Sequence, residues 1–227
     1  MKRTVQRILP VLAVAAVVAA LCRYWPFVSA FLPGSEAHDF SAPPAPGARP
    51  RPANWAVPLE APPLANFHRV SRELYRGAQP TREGMKRLAA MGIKTVVNLR
   101  LTGSDRTRLD GTGLDYEHIH MVALRMSDDD VIRFLRSVTK PARMPVFVHC
   151  RHGADRTGAM CAIYRIAVCG WSKADAINEM VNGGFGFNKE FRNLVKYIEE
   201  ADIEYLKQHA SIATTPASTG PATGAIK

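Results

Sequence analysis

The sequence predicts an α/β fold: a single domain with a mainly parallel central sheet flanked by helices. Three observations predict it. Strand-like and helix-like stretches alternate along the middle of the chain, the arrangement that gives layered α/β domains. Two short runs, Ile93 to Leu99 and Val146 to His149, are rich in β-branched and apolar residues, as buried strands are. The second of these runs leads through a tight Cys-x5-Arg loop directly into an apolar helical stretch.

In chain order, Phe67–Val70 and Glu73–Arg76 read as two short strands about a turn. Thr81 is placed to cap a helix carrying Met85, Leu88, Ala89 and Met91 and closed by Gly92. After the strand at 93–99, a polar stretch with Gly103, Gly111 and Gly113 leads to a strand from Tyr116 to Met121. Ser127 with Asp130 three residues on is a capping box for a helix bearing Val131, Ile132, Leu135 and Val138. Beyond the strand at 146–149 and its loop, Thr157 to Cys169 reads as a helix ended by Gly170. Ser172 with Asp175 caps another helix up to Met180, Gly183-Gly184-Phe185-Gly186 interrupts, and 188–206 reads as one last helix.

The flanks differ from this core. Lys2, Arg3 and Arg7 precede an apolar run from Ile8 to Leu21, the pattern of an export signal or, continued to Leu32, of a membrane anchor. Residues 1–32 are therefore expected to be a signal peptide or anchor. This places the domain in the cell envelope, exported or held in the inner membrane on its outer, periplasmic side. Residues 33–63 are rich in Pro and Ala and read as an extended linker. Residues 210–227, rich in Ser, Thr, Ala and Pro, read as a disordered tail, which leaves 64–209 as the folded domain.

Composition narrows the class. With 47% hydrophobic and 22% charged residues over 227 positions, the chain can build a core, so wholesale disorder is excluded. The net charge of +10 suits anionic partners, although charge speaks to association rather than to chemistry. Cys22, Cys150, Cys161 and Cys169 have neither a CxxC pair nor the spacing of a disulfide framework. His118, His120, His149, Cys150 and His152 do not have zinc-ligand spacing, so no metal is expected. No cofactor and no nucleic acid partner are expected either.

The chemistry concentrates in His149-Cys150-Arg151-His152-Gly153-Ala154-Asp155-Arg156-Thr157-Gly158. A loop wrapped onto a helix N-terminus turns backbone N–H groups inward, where the helix dipole favours an anion. Gly153 permits a turn that a Cβ would hinder. The planar fork of Arg156 can hold two phosphate oxygens, and the same positive field favours the thiolate of Cys150 as a nucleophile. Thr157 is placed to donate to that sulfur, and His149 to orient by hydrogen bonding rather than act as a base. Arg151 and His152 line the rim, and the backbone of Gly153, Ala154, Asp155 and Arg156 would contact the anion. An inert core cysteine is the bland alternative; His, Gly, Arg, Thr and Gly at fixed offsets between strand and helix argue against it.

His-Cys-x-x-Gly-x-x-Arg-Thr-Gly resembles the signature of cysteine-based protein tyrosine and dual-specificity phosphatases. The upstream segments Leu74-Tyr75-Arg76-Gly77-Ala78-Gln79-Pro80 and Gly92-Ile93-Lys94-Thr95-Val96-Val97-Asn98-Leu99-Arg100 resemble the small atypical dual-specificity group of bacteria, plants and fungi. The resemblance implies a compact phosphatase domain, no metal, and a phosphocysteine intermediate. It also implies a general acid, usually an Asp on a mobile loop. Asp128, first of the run Asp128-Asp129-Asp130, is the first choice. Asp155 is the rival, because a related secreted bacterial group with Gly-Lys-Asp-Arg in this loop is thought to use that Asp; this chain has Ala154 in place of the Lys.

Arg76 and Arg100 invite a phosphate-binding reading, with Arg100 weighted towards support of its strand. The segment 183–188 reads as core packing ahead of an aromatic wall beside the pocket. Expected substrates are phosphorylated proteins, with inositol phosphates or phosphoinositides as the alternative. A non-catalytic phosphate-binding envelope module is the non-enzymatic alternative.

Overall fold

A computed structural model describes residues 51–213. The expectations for residues 1–32, for most of the 33–63 linker and for nearly all of the tail lie outside the described residues. Among the described residues, no helix is long and apolar enough to cross a membrane.

Among the described residues, six strands form one sheet: β1 (Val57–Pro58), β2 (His68–Arg69), β3 (Leu74–Gly77), β4 (Thr95–Asn98), β5 (Asp115–His118) and β6 (Val146–His149). Their order is β1-β2-β3-β6-β4-β5. The first three pair antiparallel, whereas β3, β6, β4 and β5 run parallel, so the sheet is mainly parallel as the sequence predicts. β4 and β6 are buried at every position on both faces, which is why, apart from Asn98 and His149 at their ends, their residues are apolar or β-branched without alternation.

Register decides where the site lies. Gly77 pairs with His149, His149 with Asn98, and Asn98 with His118, so the four parallel strands end in one row. β6 sits between β3 and β4, strands that precede it in the chain. Its loop therefore opens at the carboxyl edge of the sheet, where crevices form between divergent connections.

Seven α-helices of the described residues pack around the sheet: α1 (Arg82–Ala90), α2 (Arg106–Leu109), α3 (Asp128–Thr139), α4 (Asp155–Ala167), α5 (Lys173–Asn182), α6 (Arg192–Glu200) and α7 (Ile203–His209). The caps follow the sequence reading. The Thr81 hydroxyl accepts from Gly84 N, Ser127 and Asp130 form the reciprocal capping box, and Ser172 accepts from Asp175 N. The larger core joins Leu74, Val97, Val146 and Val148 of the sheet to α3, α4, α6 and α7; a smaller one gathers Phe67, Met85, Leu88, Val96 and Phe147 beneath α1.

Four expectations are corrected. The helix after the Cys loop starts at Asp155, not Thr157, because Ala154 O already accepts the Gly158 N–H at 2.7 Å. The expected last helix at 188–206 begins only at Arg192 and is then two helices. Asp202 caps the second by accepting from Tyr205 N at 3.0 Å.

The folded unit also begins before residue 64. Ala56 and Ala61 are buried and Val57–Pro58 pairs with β2. The buried pair Arg165–Glu179 holds this stretch, since Glu179 Oε1 accepts from Ala56 N at 2.5 Å and Arg165 Nη2 donates to Asn54 O at 3.2 Å. The Pro/Ala composition of 51–63 thus marks a strap that borrows its polar partners from α4 and α5, not a free spacer. At the other end, Ala210 is buried and Ile212 N–H bonds back to Lys207 O, so order continues past 209.

Candidate active site

Cys150 begins the loop at the end of β6, and Arg156 and Thr157 lie in the first turn of α4. The conformation of the loop is set from outside it. Cys150 O faces His149 Nδ1 at 2.9 Å, and Arg151 O accepts from Gln79 N at 3.1 Å. His152 O accepts from Asn66 Nδ2 at 2.9 Å, and Gly153 O from Arg76 Nη2 at 2.7 Å. Ala154 O accepts from Gly158 N, with Arg76 Nη2 at 3.4 Å.

A trans peptide is planar, so its N–H points opposite to its C=O. With the carbonyls of 150–154 anchored outwards, the N–H groups of 151–155 face the inside of the loop. Together with the start of α4 they form a cradle for an anion. Gly153 has φ 72°, and a Cβ there would lie 2.4 Å from the carbonyl carbon and oxygen of Gly77. Only glycine lets the loop approach β3 this closely.

The side chains divide into those that face the cradle and those that build it. Cys150 is 2% exposed, at the floor. Arg156 is half-buried, with Nη1 3.4 Å from Leu99 O and 3.5 Å from Met121 O, the segments that follow β4 and β5. Arg151 is exposed and His152 half-buried, as expected for the rim. Gly153 and Ala154 are buried and contribute backbone.

Thr157 is fully buried, but its hydroxyl makes no hydrogen bond, so the expected donation to the sulfur is not formed in this structure. His149 is fully buried with Nδ1 on the Cys150 carbonyl, an orienting arrangement.

Both acid candidates carry partners. Asp128 opens α3 and accepts the Tyr197 hydroxyl at 2.6 Å. Burial and that carboxylate push the tyrosine pKa well above its ordinary value. Asp155 opens α4, and its Oδ1 accepts from Asn188 N at 2.8 Å, tying the 183–188 segment to the loop. Burial raises the Asp155 carboxyl above its usual range, against the hydrogen bond from Asn188 and the charges of His152 and Arg156.

Arg76 lies behind the cradle, on the carbonyl side of the loop. It is 1% exposed, grips the loop carbonyls from behind and lies 3.7 Å from the Phe185 ring centre. Burial pushes its pKa down, while Cys161, Glu179 and Cys150 push it up. Phe185 is therefore core packing, as expected for the 183–188 segment. Arg100 supports its turn: its main-chain N–H donates to Asn98 Oδ1 at 2.8 Å and its Nη1 lies 3.4 Å from Gly103 O. Cys161 is buried and its thiol is pushed up to about 11 by burial.

The sequence reading missed three residues. Asn66 holds both His152 O and Phe185 O from a left-handed backbone (φ 51°), a conformation Asn tolerates. Gln79 holds Arg151 O and, through Nε2, Asp105. Asp105 is fully buried and gathers donors from Gln79, Asn98 and Arg108. A buried carboxylate in a polar, glycine-rich stretch has no local pattern to announce it.

A cysteine at the floor of an N–H cradle, an arginine on the following helical turn and no space for a side chain at Gly153 define a phosphate-handling cysteine loop. Residues 60–192 match the family model described as DSP-PTPase phosphatase fused to NAD+ kinase. The chain is 35% identical over 181 residues to the dual specificity protein phosphatase TpbA of Pseudomonas aeruginosa, covering 79% of each. A crystal structure of a TpbA variant in complex with pTyr superposes with a TM-score of 0.63 at 33% identity, over 71% of this chain and 98% of that one. Inositol diphosphatase DSP5 of Arabidopsis thaliana is 26% identical over 156 residues, 64% of this chain and 74% of that one.

The chain belongs to the cysteine-based protein tyrosine and dual-specificity phosphatase family. It is an enzyme of that family, a phosphoric monoester hydrolase.

Gly153→Ala tests the cradle. Its strained φ and the contact with Gly77 are expected to lower stability by about 1–3 kcal/mol in urea unfolding and to remove most phosphatase activity. An unchanged midpoint and rate would contradict the close approach.

Proposed function

We propose that this enzyme removes phosphate from phosphorylated protein side chains, phosphotyrosine among them, in the cell envelope. The anion cradle around Cys150 carries the reading, supported by the identity to a dual specificity protein phosphatase over most of the chain.

The Cys150 thiolate attacks phosphorus in line with the leaving oxygen. The S–P bond forms as the P–O bond breaks, and the general acid gives its proton to the departing alkoxide or phenoxide. Arg156 and the N–H groups of the loop stabilise the charge on the non-bridging oxygens of the transition state. Water then attacks phosphocysteine, with the same carboxylate taking its proton. The S–P bond breaks, and inorganic phosphate and thiolate are released. Arg151 and His152 meet the substrate at the rim.

We assign the acid to Asp155 ahead of Asp128. Asp155 is half-buried beside the loop, and burial favours its protonated form. Asp128 is committed to the Tyr197 hydroxyl. The general acid must be protonated at the start, so activity declines as pH rises through its folded-state pKa. Asp155→Asn is expected to flatten that basic limb of kcat on an aryl phosphate, Asp128→Asn to leave it in place, and Cys150→Ser to abolish turnover. If Cys150→Ser still turns over, the enzymatic assignment of the loop fails; if Asp128→Asn alone flattens the limb, the acid is Asp128.

A second reading, an inositol phosphate or phosphoinositide substrate, is favoured by exposed Arg151 and by the relation to an inositol diphosphatase. A substrate panel separates the two: preference for phosphopeptides supports the first and preference for inositol phosphates the second.

The envelope location is supported by the basic-then-apolar start of the sequence, residues 2–21. Residues 1–63 fused to a reporter that is active only outside the cytoplasm should give activity; an inactive, cytoplasmic fusion would refute export.

A further inference from the structure

We propose that Asp105 is a positioning residue for Cys150, acting through His149. The inference rests on Cys150 being the nucleophile, and it assigns a role to a buried carboxylate that lies on a different connection of the sheet.

Asp105 sits after β4, immediately before α2, with no exposed surface. Its Oδ1 accepts from Gln79 Nε2 at 2.8 Å and Arg108 Nη1 at 2.7 Å. Its Oδ2 accepts from Asn98 Nδ2 at 2.6 Å and lies 3.2 Å from His149 Nε2. The His149 contact is close but poorly aligned for a hydrogen bond, and it attracts electrostatically with a proton on Nε2 facing the carboxylate. Burial opposes ionisation of Asp105, yet His149, Gln79 and Arg108 together hold its carboxyl below the usual range. Its main-chain N–H is fixed on the Tyr116 hydroxyl at 3.1 Å. Such a carboxylate has one place to be.

His149 is equally enclosed, its ring stacked 5.8 Å from that of Phe147. A carbonyl can only accept, so the 2.9 Å contact between Nδ1 and Cys150 O requires a proton on Nδ1. Asp105, facing the opposite edge of the ring, sets the rotation that brings Nδ1 to this carbonyl.

The Cys150 carbonyl belongs to the first peptide of the cradle, so its direction fixes how the Cys150 backbone presents the sulfur. Gln79 links Asp105 to the next carbonyl, that of Arg151, through its own main-chain N–H. The carbonyls of residues 152–154 are held by Asn66, Arg76 and Gly158, outside this network. The split is consequential: Asp105 governs the nucleophile end of the loop, while the rest of the phosphate cradle stands without it.

Asp105→Asn places an NH2 against donors on whichever oxygen it replaces: Gln79 and Arg108 on one side, Asn98 and His149 on the other. The full chain carrying this variant is compared with wild type for kcat and for competitive inhibition by inorganic phosphate. The same change is then made in a His149→Asn background.

A kcat lower by about tenfold with the phosphate inhibition constant within about twofold is expected for a residue that positions the nucleophile. In the His149→Asn background the further loss should be under about twofold, because the two residues act in series. Equal loss of kcat and phosphate affinity in both backgrounds would reduce Asp105 to general support of the fold, and an unchanged kcat would remove its role.

If the variant does not fold, nitrogen NMR of the His149 ring in wild type decides. Protons on both Nδ1 and Nε2 uphold the arrangement, and a bare nitrogen at either position overturns it. Loss of turnover in Cys150→Ser tests the underlying reading separately.

Discussion

Peptide planarity, applied to five consecutive residues, is the constraint on which this active site depends. Each carbonyl from Cys150 to Ala154 is tied to a group outside the loop, and the opposite face of each peptide is thereby committed to an anion. Three of the donors come from distant parts of the chain, Gln79 after β3, Asn66 before β2 and Arg76 within β3, and His149 ends β6 itself. They meet because the parallel strands end in register at Gly77, His149, Asn98 and His118. The sheet is the means by which two strands and two connections grip one loop.

Charge is arranged on three sides of that loop. Behind it lies buried Arg76, its guanidinium on the outward carbonyls and its face on Phe185. Beside it lies Asp105, ionised through its contact with His149 and hydrogen bonds from neutral and cationic donors. In front are Arg156 and the N-terminal turn of α4, which favour a doubly charged phosphoryl group. The strap at 51–61 joins the same system. Arg51 donates to Gly183 O and Ala56 O, Glu179 to Arg165 pins Ala56, and Asn188 reaches Asp155. The residues leading into the domain are thus coupled to the segment that holds the proposed acid.

Much of this was legible in the sequence because it is local. Caps at Thr81, Ser127 and Ser172, the double-faced apolar strands β4 and β6, and the Cys-x5-Arg loop are all set by spacings of a few residues. The break at Asp202 was also local, an Asp cap inside an apolar periodicity that conceals it. The roles of Asn66, Arg76 and Asp105 were not legible. Asn66 and His152 are 86 residues apart, Arg76 and Gly153 77, Gln79 and Asp105 26. Nothing in the neighbourhood of Asp105 marks it as buried, and Arg76 invites a phosphate-binding reading that only its place in the sheet, behind the loop, corrects. The strap was misread for a related reason: Pro and Ala signal an extended chain, and an extended chain packs well when a buried Arg–Glu pair supplies its hydrogen bonds.

The central claim is that the outward-tied loop makes Cys150 the atom that receives the phosphoryl group. Rapid acid quenching of the Asp155→Asn enzyme with an aryl phosphate, followed by peptide mass spectrometry, tests it directly. A phosphoryl group is expected on the sulfur of the peptide bearing Cys150, and none when Cys150→Ser is added. A phosphoryl group found on His149 or His152 instead would contradict it.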